Sequence, residues 1–438
     1  MQLQFNSWIS VLLLAPSLCA ADEEWTRFRG PNGSGISHAT TIPTRWTEKD
    51  YNWKVKLPGV GHSSPVVFGG RVFVTSGDAD AGRKMVCCLD AADGRVVWQR
   101  DYPSKTDSDY PESRYATATP AVDRDGVVVT WSTPDEVTLL ALDHAGRETW
   151  HRNLGPFIAT FGNGISPILF DSLVILNNDQ EDPNLLPGHK RNPPYPVGKS
   201  SLIALDRKTG QTRWQIDRRT SFSSYSTPCI YEDEGGRPFL IVTGVAHGIT
   251  AVDPRTGKLC WEFGQPFLDR ALSSPVLGRG LIIAGHGSGT RASSYIAVRP
   301  AGAKAGAKAE LAYELKDDIP LIPTPLTYDN RLFLWTDEGG VSCRRLDTGA
   351  LVWKGQVGGS YYASPVWVNH CLYNVARNGQ IVVVMAGDKF EVLSRVPLGE
   401  LSYATPAVAG GVMYLRTRSH LFSLGRDRQP KQSTRPVR

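Results

Sequence analysis

The chain has 438 residues, 41% hydrophobic and 21% charged, the make-up of an ordinary globular protein rather than of a disordered, collagen-like or disulfide-scaffolded one. Its formal charge of +5 is mostly local, because Arg426 to Arg438 holds five basic side chains against one Asp. The body is near neutral, which argues against a nucleic-acid-binding surface, and beyond the N-terminal leader no run is apolar and long enough to span a bilayer.

Residues 1–21 read as a cleaved signal peptide. Ile9 to Ala15 forms an apolar core, and Leu18-Cys19-Ala20 followed by Ala21 offers small residues to a signal peptidase. Cys19 raises a lipoprotein reading, but Pro16-Ser17-Leu18 before it does not supply the required Leu and small residue. A periplasmic or secreted soluble product is therefore preferred. Residues 22–50 form a lead-in, in which Phe28-Arg29-Gly30-Pro31-Asn32-Gly33-Ser34-Gly35 reads as loop by composition.

From Tyr51 two regularities repeat. In the first, an apolar strand meets an Asp, a short polar turn ends on Gly, and a second strand carries a Trp. Leu89 to Trp98, Leu205 to Trp214 and Val252 to Trp261 are full copies; Asp143 to Trp150 and Asp347 to Trp353 are shortened ones. Gly supplies the positive φ of a bulged hairpin turn, and Asp can bond the turn's own backbone. The second regularity is a pair opening a short apolar strand: Ser64-Pro65, Thr119-Pro120, Ser166-Pro167, Thr227-Pro228, Ser274-Pro275, Thr324-Pro325, Ser364-Pro365 and Thr405-Pro406. Proline is tolerated at the first residue of a strand, where its missing N–H need not join a ladder.

Spacings of about 40 to 60 residues between pairs fit four short antiparallel strands per repeat, the size of a propeller blade. In the first unit the strands are Pro65 to Phe68, Arg71 to Ser76, Met85 to Leu89 and Arg95 to Arg100, with Asp78 to Lys84 as a longer loop. The fifth unit has decayed into the low-complexity run Ala301 to Lys308, with Tyr313 in place of Trp, and the seventh is also degenerate. The eighth keeps only Ala407 to Ala409, Val412 to Arg416 and His420 to Leu424. Tyr51 to Leu57, carrying Trp53, is left over at the other end. It sits at the spacing from Pro65 that Trp353 keeps from Pro365, so it completes the last blade and removes the open edges. The expected fold is all-β: an eight-bladed β-propeller of four-stranded antiparallel blades over residues 51–425, with seven blades as the alternative. Residues 426–438 are a basic disordered tail.

The repeated Asp-x-x-Thr-Gly-x-x-x-Trp turn, the Ser/Thr-Pro strand starts and Phe28-Arg29-Gly30-Pro31 resemble the PQQ-like β-propeller family, which includes the barrel-assembly lipoprotein of the BamB type and quinone-dependent dehydrogenases. The resemblance runs from Trp25 to Gly425. It implies that Trp98, Trp150, Trp214, Trp261 and Trp353, with Trp53 on the closing strand, dock each blade onto its neighbour. The residues by themselves support a milder statement: a large amphipathic ring recurs on each outer strand, able to bury area and still find a partner for its N–H.

In such a blade the loop after the second strand and the loop between blades share one face. The long polar insertions belong to that class: Asp101 to Ala118, Asn153 to Ile165, Asn177 to Lys199, Asp217 to Ser226, Phe263 to Leu272 and Gly285 to Ser294. This is the candidate ligand or partner face. Tyr115, Tyr225, Tyr361, Tyr362 and Tyr403 precede blade starts, where they either line a channel mouth or pack adjacent blades. Arg114, Arg270, Arg377, Arg416 and Arg418 could make an anion-attracting mouth. His62, His247, His286 and His420 lie in or beside these loops without metal-ligand spacing. Asn177 to Asp182 offers oxygen ligands to Ca²⁺ but lacks EF-hand spacing and reads as a solvated loop.

No nucleophile elbow, Walker loop, zinc helix or haem-attachment motif is present, so no catalytic or metal residue is assigned. The six cysteines beyond Cys19 read as buried thiols, and Cys87-Cys88 cannot bond without distortion, because neighbours in a strand point to opposite faces. The expectation is an exported, monomeric, non-enzymatic scaffold with an envelope protein partner and no cofactor, assisting outer-membrane protein assembly. The alternatives are a PQQ- and Ca²⁺-dependent alcohol or sugar dehydrogenase and a carbohydrate-binding propeller.

Overall fold

The computed structural model describes residues 24–104, 116–185, 197–264, 267–288, 291–301 and 308–425. The expected leader and basic tail, together with Arg114 and Tyr115, lie outside them. Eight sheets, each built on four antiparallel strands, form a ring. Blade 1 consists of Val66–Phe68, Arg71–Asp78, Arg83–Asp90 and Val96–Pro103. Blades 2 to 7 repeat it, starting from the innermost strands Ala121–Asp123, Ile168–Phe170, Cys229–Glu232, Val276–Gly278, Leu326–Tyr328 and Val366–Val368. Blade 8 joins Ala407–Ala409, Val412–Arg416 and His420–Gly425 to Tyr51–Lys56, with Tyr51 opposite Leu424 and Lys56 opposite His420. The closing strand is in place and the count is eight, not seven.

The burial pattern follows the layering. The second strands of blades 2 and 3, Gly126–Thr133 and Leu173–Asn178, are buried throughout, pressed between neighbouring blades. Outermost strands such as Glu148–Asn153 and Leu351–Gln356 are mostly open to solvent and bury their Trp inward. In every blade the pairing of third and outermost strand slips by one residue beside the Trp or its equivalent. That is the bulge required by the Asp-to-Gly turn. Blades 1 and 5 run further than their composition suggested. Arg71–Asp78 pairs with Arg83–Asp90 and Leu281–Ser288 with Arg291–Arg299, so the expected loop Asp78 to Lys84 shrinks to a turn over Ala79 to Gly82, and every described residue from Gly285 to Ser294 is strand. Ladder hydrogen bonds are made by backbone, and polar side chains at a rim do not prevent them.

Between blades the outer rings meet the turns. Trp53 Nε1 donates to Ala91 O at 3.0 Å, Trp98 to His144 O at 2.8 Å, Trp150 to Arg207 O at 2.9 Å, Trp214 to Pro254 O at 3.0 Å and Trp353 to Gly387 O at 2.8 Å. Tyr313 does the same with its hydroxyl, reaching Leu346 O at 2.8 Å. Trp261 belongs to the cluster that holds Val298 and Ala309, and its Nε1 finds no acceptor among the described residues. Blade 7 has no Trp on its outermost strand, Val392–Pro397. There the lead-in substitutes: Arg45 Nε donates to Leu393 O at 3.1 Å, Ser394 Oγ donates to Thr44 O, and the buried Trp46 donates its Nε1 to Tyr51 Oη at 3.1 Å. Each buried indole removes roughly 200 Å² from water, worth about 5 kcal/mol in transfer terms.

The six described cysteines are free. Cys87 and Cys88 are both fully buried, and they face different interfaces: Cys87 packs with Val74 and Met413, Cys88 with Trp98 and Val129. Burial pushes both thiols up to about 12. No helix among the described residues is long and apolar enough to cross a membrane.

The turn glycine answers two demands at once. Gly146 has φ +76°, and a Cβ there would stand 2.7 Å from the Trp98 ring, whereas Gly70, at φ +70°, has open space around it. Gly70→Ala should cost about 1–2 kcal/mol, the backbone strain alone. Gly146→Ala adds overpacking against the indole and should cost about 3–5 kcal/mol. Urea denaturation of the two variants checks this, and equal losses would show that the indole does not depend on the missing Cβ.

Candidate functional site

The Ser and Thr of the eight pairs converge on the propeller axis. Seven links of a circular chain of hydrogen bonds join them, each backbone N–H donating to the next hydroxyl: Ser64 to Thr119, Thr119 to Ser166, Thr227 to Ser274, Ser274 to Thr324, Thr324 to Ser364, Ser364 to Thr405 and Thr405 to Ser64, at 2.9–3.1 Å. The short hydroxyl is needed because each N–H just before a proline lies outside the blade's own ladder. All eight side chains line a pit of about 190 Å³.

A second tier lies above this ring, two residues earlier in each unit: His62, Thr117, Gly164, Tyr225, Leu272, Ile322, Tyr362 and Tyr403. Phe28 completes the lining. It belongs to a segment that crosses the axis at the opposite end. Trp25 exchanges two backbone bonds with Val67, Thr26 O accepts from Val122 N at 2.8 Å, and Asn32 bonds both backbone groups of Ile230 at 2.7 and 2.8 Å. Arg27 donates to Pro228 O at 2.5 Å. Arg29, with no exposed surface, donates to Pro365 O at 2.9 Å, Pro325 O at 2.8 Å and Thr324 O at 3.2 Å. The stretch read as loop by composition is thus a floor, tied to the starts of the innermost strands, and it makes the channel a blind pit. Burial lowers Arg29 to about 9 and Arg27 to about 10, which leaves both charged at neutral pH.

One side of the mouth is aromatic and basic. His62 stacks on Tyr403 with centroids 4.4 Å apart, Tyr403 and Tyr362 lie 5.2 Å apart, and the Arg377 guanidinium sits 4.3 Å from the Tyr362 centroid and 5.2 Å from that of Tyr403. Arg377 Nη2 also donates to Tyr403 Oη at 3.3 Å. Burial, helped by Arg416 and Arg418, lowers His62 to about 3, so its ring is neutral. Tyr225, also half-buried in the lining, bonds Ser223 at 3.2 Å, and burial raises its phenol.

Other candidates are placed elsewhere. Tyr361 is fully buried, edge-on to Trp335 at 5.2 Å, and takes no part in the face. Arg416 is also interior: it donates to Ser63 O at 2.9 Å and Ser76 Oγ at 3.2 Å, and burial lowers it to about 10. His286 is on a strand, stacked on Phe267 at 4.8 Å, with burial lowering its pKa. Arg270 is held between Phe222 and Phe161, at 4.5 and 5.2 Å, and pairs with Glu181 at 2.9 Å. His247 pairs with Glu262 at 3.1 Å and His420 with Glu400 at 3.4 Å. The run Asn177 to Asp182 is not a solvated loop. All six residues are buried, with Asp179 opposite Arg218 at 3.6 Å, and burial pushes the Asp179 carboxyl up despite that neighbour. Its partners come from distant loops, which a local reading of charge does not reveal.

His62, Tyr225, Tyr362 and Tyr403 of this tier stand out in the sequence by residue type, whereas Thr117, Gly164, Leu272 and Ile322 share with them only the two-residue offset from a Ser/Thr-Pro pair.

The buried imidazole gives the pit a pH signature. Above pH 6.5 His62 is neutral whether the chain is folded or not; between pH 6.5 and about 3 the unfolded chain takes up a proton that the folded one does not. Stability from this group is therefore full above pH 6.5 and lost on acidification. The melting temperature should fall less steeply from pH 7 to pH 4.5 in His62→Gln than in the wild type, and parallel profiles would overturn the assignment.

Among solved structures the fold is shared with BamB from Moraxella catarrhalis, at 13% identity and TM-score 0.58, over 86% of this chain and 97% of that one. It is shared also with the quinohemoprotein alcohol dehydrogenase from Comamonas testosteroni, at 14% identity and TM-score 0.61, over 94% and 82% of the two chains. A computationally designed protein, Ika8, matches at 11% identity and TM-score 0.56, over 86% and 100%. No curated protein sequence matches. A family model described as outer membrane protein assembly factor BamB matches residues 44–186 and 195–305, more than half of the chain, and the protein belongs to that family.

Proposed function

We propose that this protein is an exported, non-enzymatic propeller of the cell envelope that binds a protein partner through the face on which the pit opens, in support of outer-membrane protein assembly. The observation that carries the reading is the blind pit. A channel floored by Phe28 and rimmed by Tyr362, Tyr403, His62 and Arg377 is suited to receive part of another molecule rather than to conduct one. Aromatic rings and arginine are the side chains that most often anchor protein interfaces. Family membership supports the envelope assignment.

The residues present do not suit a Ca²⁺-bound quinone. The pit is lined by hydroxyls, aromatic rings and aliphatic groups with no carboxylate, and no metal-holding cluster of His, Cys, Asp and Glu occurs among the described residues. The adjacent cysteines are buried in a strand on opposite faces. At about 190 Å³ the pit is also smaller than the roughly 300 Å³ and upward usual for bound cofactors.

A photo-reactive residue placed at the exposed, loop-side position of Arg418 should crosslink in living cells to an outer-membrane assembly protein. The same residue at Lys208, in a tight turn on the opposite face, should not. Equal crosslinking from both positions, or recovery of the protein from the cytosol, would sink the proposal.

A further inference from the structure

The hydroxyl ring carries an unused chemical capacity. Seven of its eight oxygens accept an amide hydrogen, and none of the eight donates its own proton to a protein acceptor among the described residues. Eight O–H donors therefore face a pit of about 190 Å³. A neutral apolar group would leave the donors unpaired, whereas an anionic oxygen would satisfy them; each hydroxyl also keeps a lone pair, so what selects an anion over a cation is the charge around the pit.

The charge around the axis has the matching sign. Arg27, Arg29 and Arg416 are 7%, 0% and 1% exposed, and none lies within ion-pair distance of a carboxylate among the described residues. They are held by carbonyl and hydroxyl oxygens instead, and of the three only Arg416 feels a carboxylate, Glu400, which lies beyond ion-pair distance. Three carboxylates lie nearby and each is engaged: Asp337 by the amides of Leu321 and Ile322, Glu400 by Thr417 and Ser419, and Glu181 by Arg270. None of them lines the pit. A low-dielectric pit with buried arginines that lack a direct carboxylate partner behind its lining concentrates anions.

The imidazole of His62 adds a directional element. It is 8% exposed, and its Nδ1 has no protein partner. The aromatic tier of Tyr403 and Tyr362 above restricts access to a narrow group.

We propose that the pit is a receptor for a single carboxylate group, carried either by a small organic acid or by the C-terminal end of a polypeptide chain. The second source rests on the partner-binding reading above; the first does not, so the two can fail separately.

Thr227 provides a clean probe. Its oxygen is the one in the ring that accepts no amide hydrogen, so Thr227→Val removes one pit donor and leaves all seven links intact. Titration calorimetry on the full mature protein at constant ionic strength should show acetate, or an alanine tripeptide with a free carboxyl end, binding where chloride and the tripeptide amide do not. Thr227→Val should weaken that binding roughly tenfold, the loss of one hydrogen bond to a charged group, with an unchanged melting temperature. Binding of acetate identifies the small-acid source, and binding of the free-ended tripeptide alone identifies the chain end. Binding of neither, binding of the amide as tightly as of the acid, or unaltered affinity in Thr227→Val would overturn the proposal.

Discussion

The pairing of Tyr51–Lys56 with His420–Gly425 is the contact on which the rest of the molecule depends. In an open array of repeats each unit touches only its neighbours, and the two terminal sheets expose an edge and half an interface. Closure makes the first and last blades neighbours of the ordinary kind. Trp53, brought in on the closing strand, reaches the turn of blade 1 at Ala91 O, as Trp98 reaches the turn of blade 2 at His144 O. Thr405 N reaches Ser64 Oγ, as Ser64 N reaches Thr119 Oγ1. The seam of the ring is therefore built from the same two links as the internal junctions.

Closing a ring of sheets creates a different problem at the centre. Each innermost strand has one edge turned to the axis, where no further strand can pair with it, and its carbonyls are left to water or to side chains. The lead-in meets this need in two ways. Ile36–Ser37 adds a parallel strand to the inner edge of blade 7. Trp25 to Asn32 spans the channel, and its two arginines take the carbonyls of Pro228, Thr324, Pro325 and Pro365, all at strand starts. Guanidinium suits the task because several N–H donors radiate from one plane toward oxygens on different blades. The same contact that completes the backbone hydrogen bonding leaves positive charge on the axis, so the character of the pit follows from how the ring is filled.

Most of the architecture could be read from local chemistry. The Asp-to-Gly turn, the Trp beyond it and the Ser/Thr-Pro start each reflect a backbone requirement, and such requirements repeat wherever the backbone does. Trp353 and Trp53 stand at the same distance from the next proline because both finish a blade. The site was legible only in part. Tyr362 and Tyr403 do line the mouth, but Tyr361, one residue away, is turned into the core against Trp335, and a one-residue step in an extended segment reverses the side chain. Arg29 looked like loop filler because its three blade-side acceptors lie 295 to 336 positions away in the chain. Asp179 and Glu181 looked solvated because Arg218 and Arg270, which accompany them into the interior, come from other loops.

Comparison of the repeats with one another separates framework from function more sharply than any single residue does. At the ring every unit carries Ser or Thr, because a hydroxyl is what receives the N–H preceding the proline. Two residues earlier the same backbone carries His62, Thr117, Gly164, Tyr225, Leu272, Ile322, Tyr362 and Tyr403, from no side chain at all to a phenol. A position that tolerates such a range across eight equivalent blades is not fixed by the fold. Its aromatic members on blades 7, 8 and 1 are consecutive, Tyr362, Tyr403 and His62, and Arg377 lies across two of them. If packing adjacent blades were their purpose, Leu272 and Ile322 show that an aliphatic group serves. The clustering of rings and a guanidinium on one arc of the rim instead gives a symmetric frame a single preferred direction of approach, which recognition of one partner requires and the closure of the ring does not.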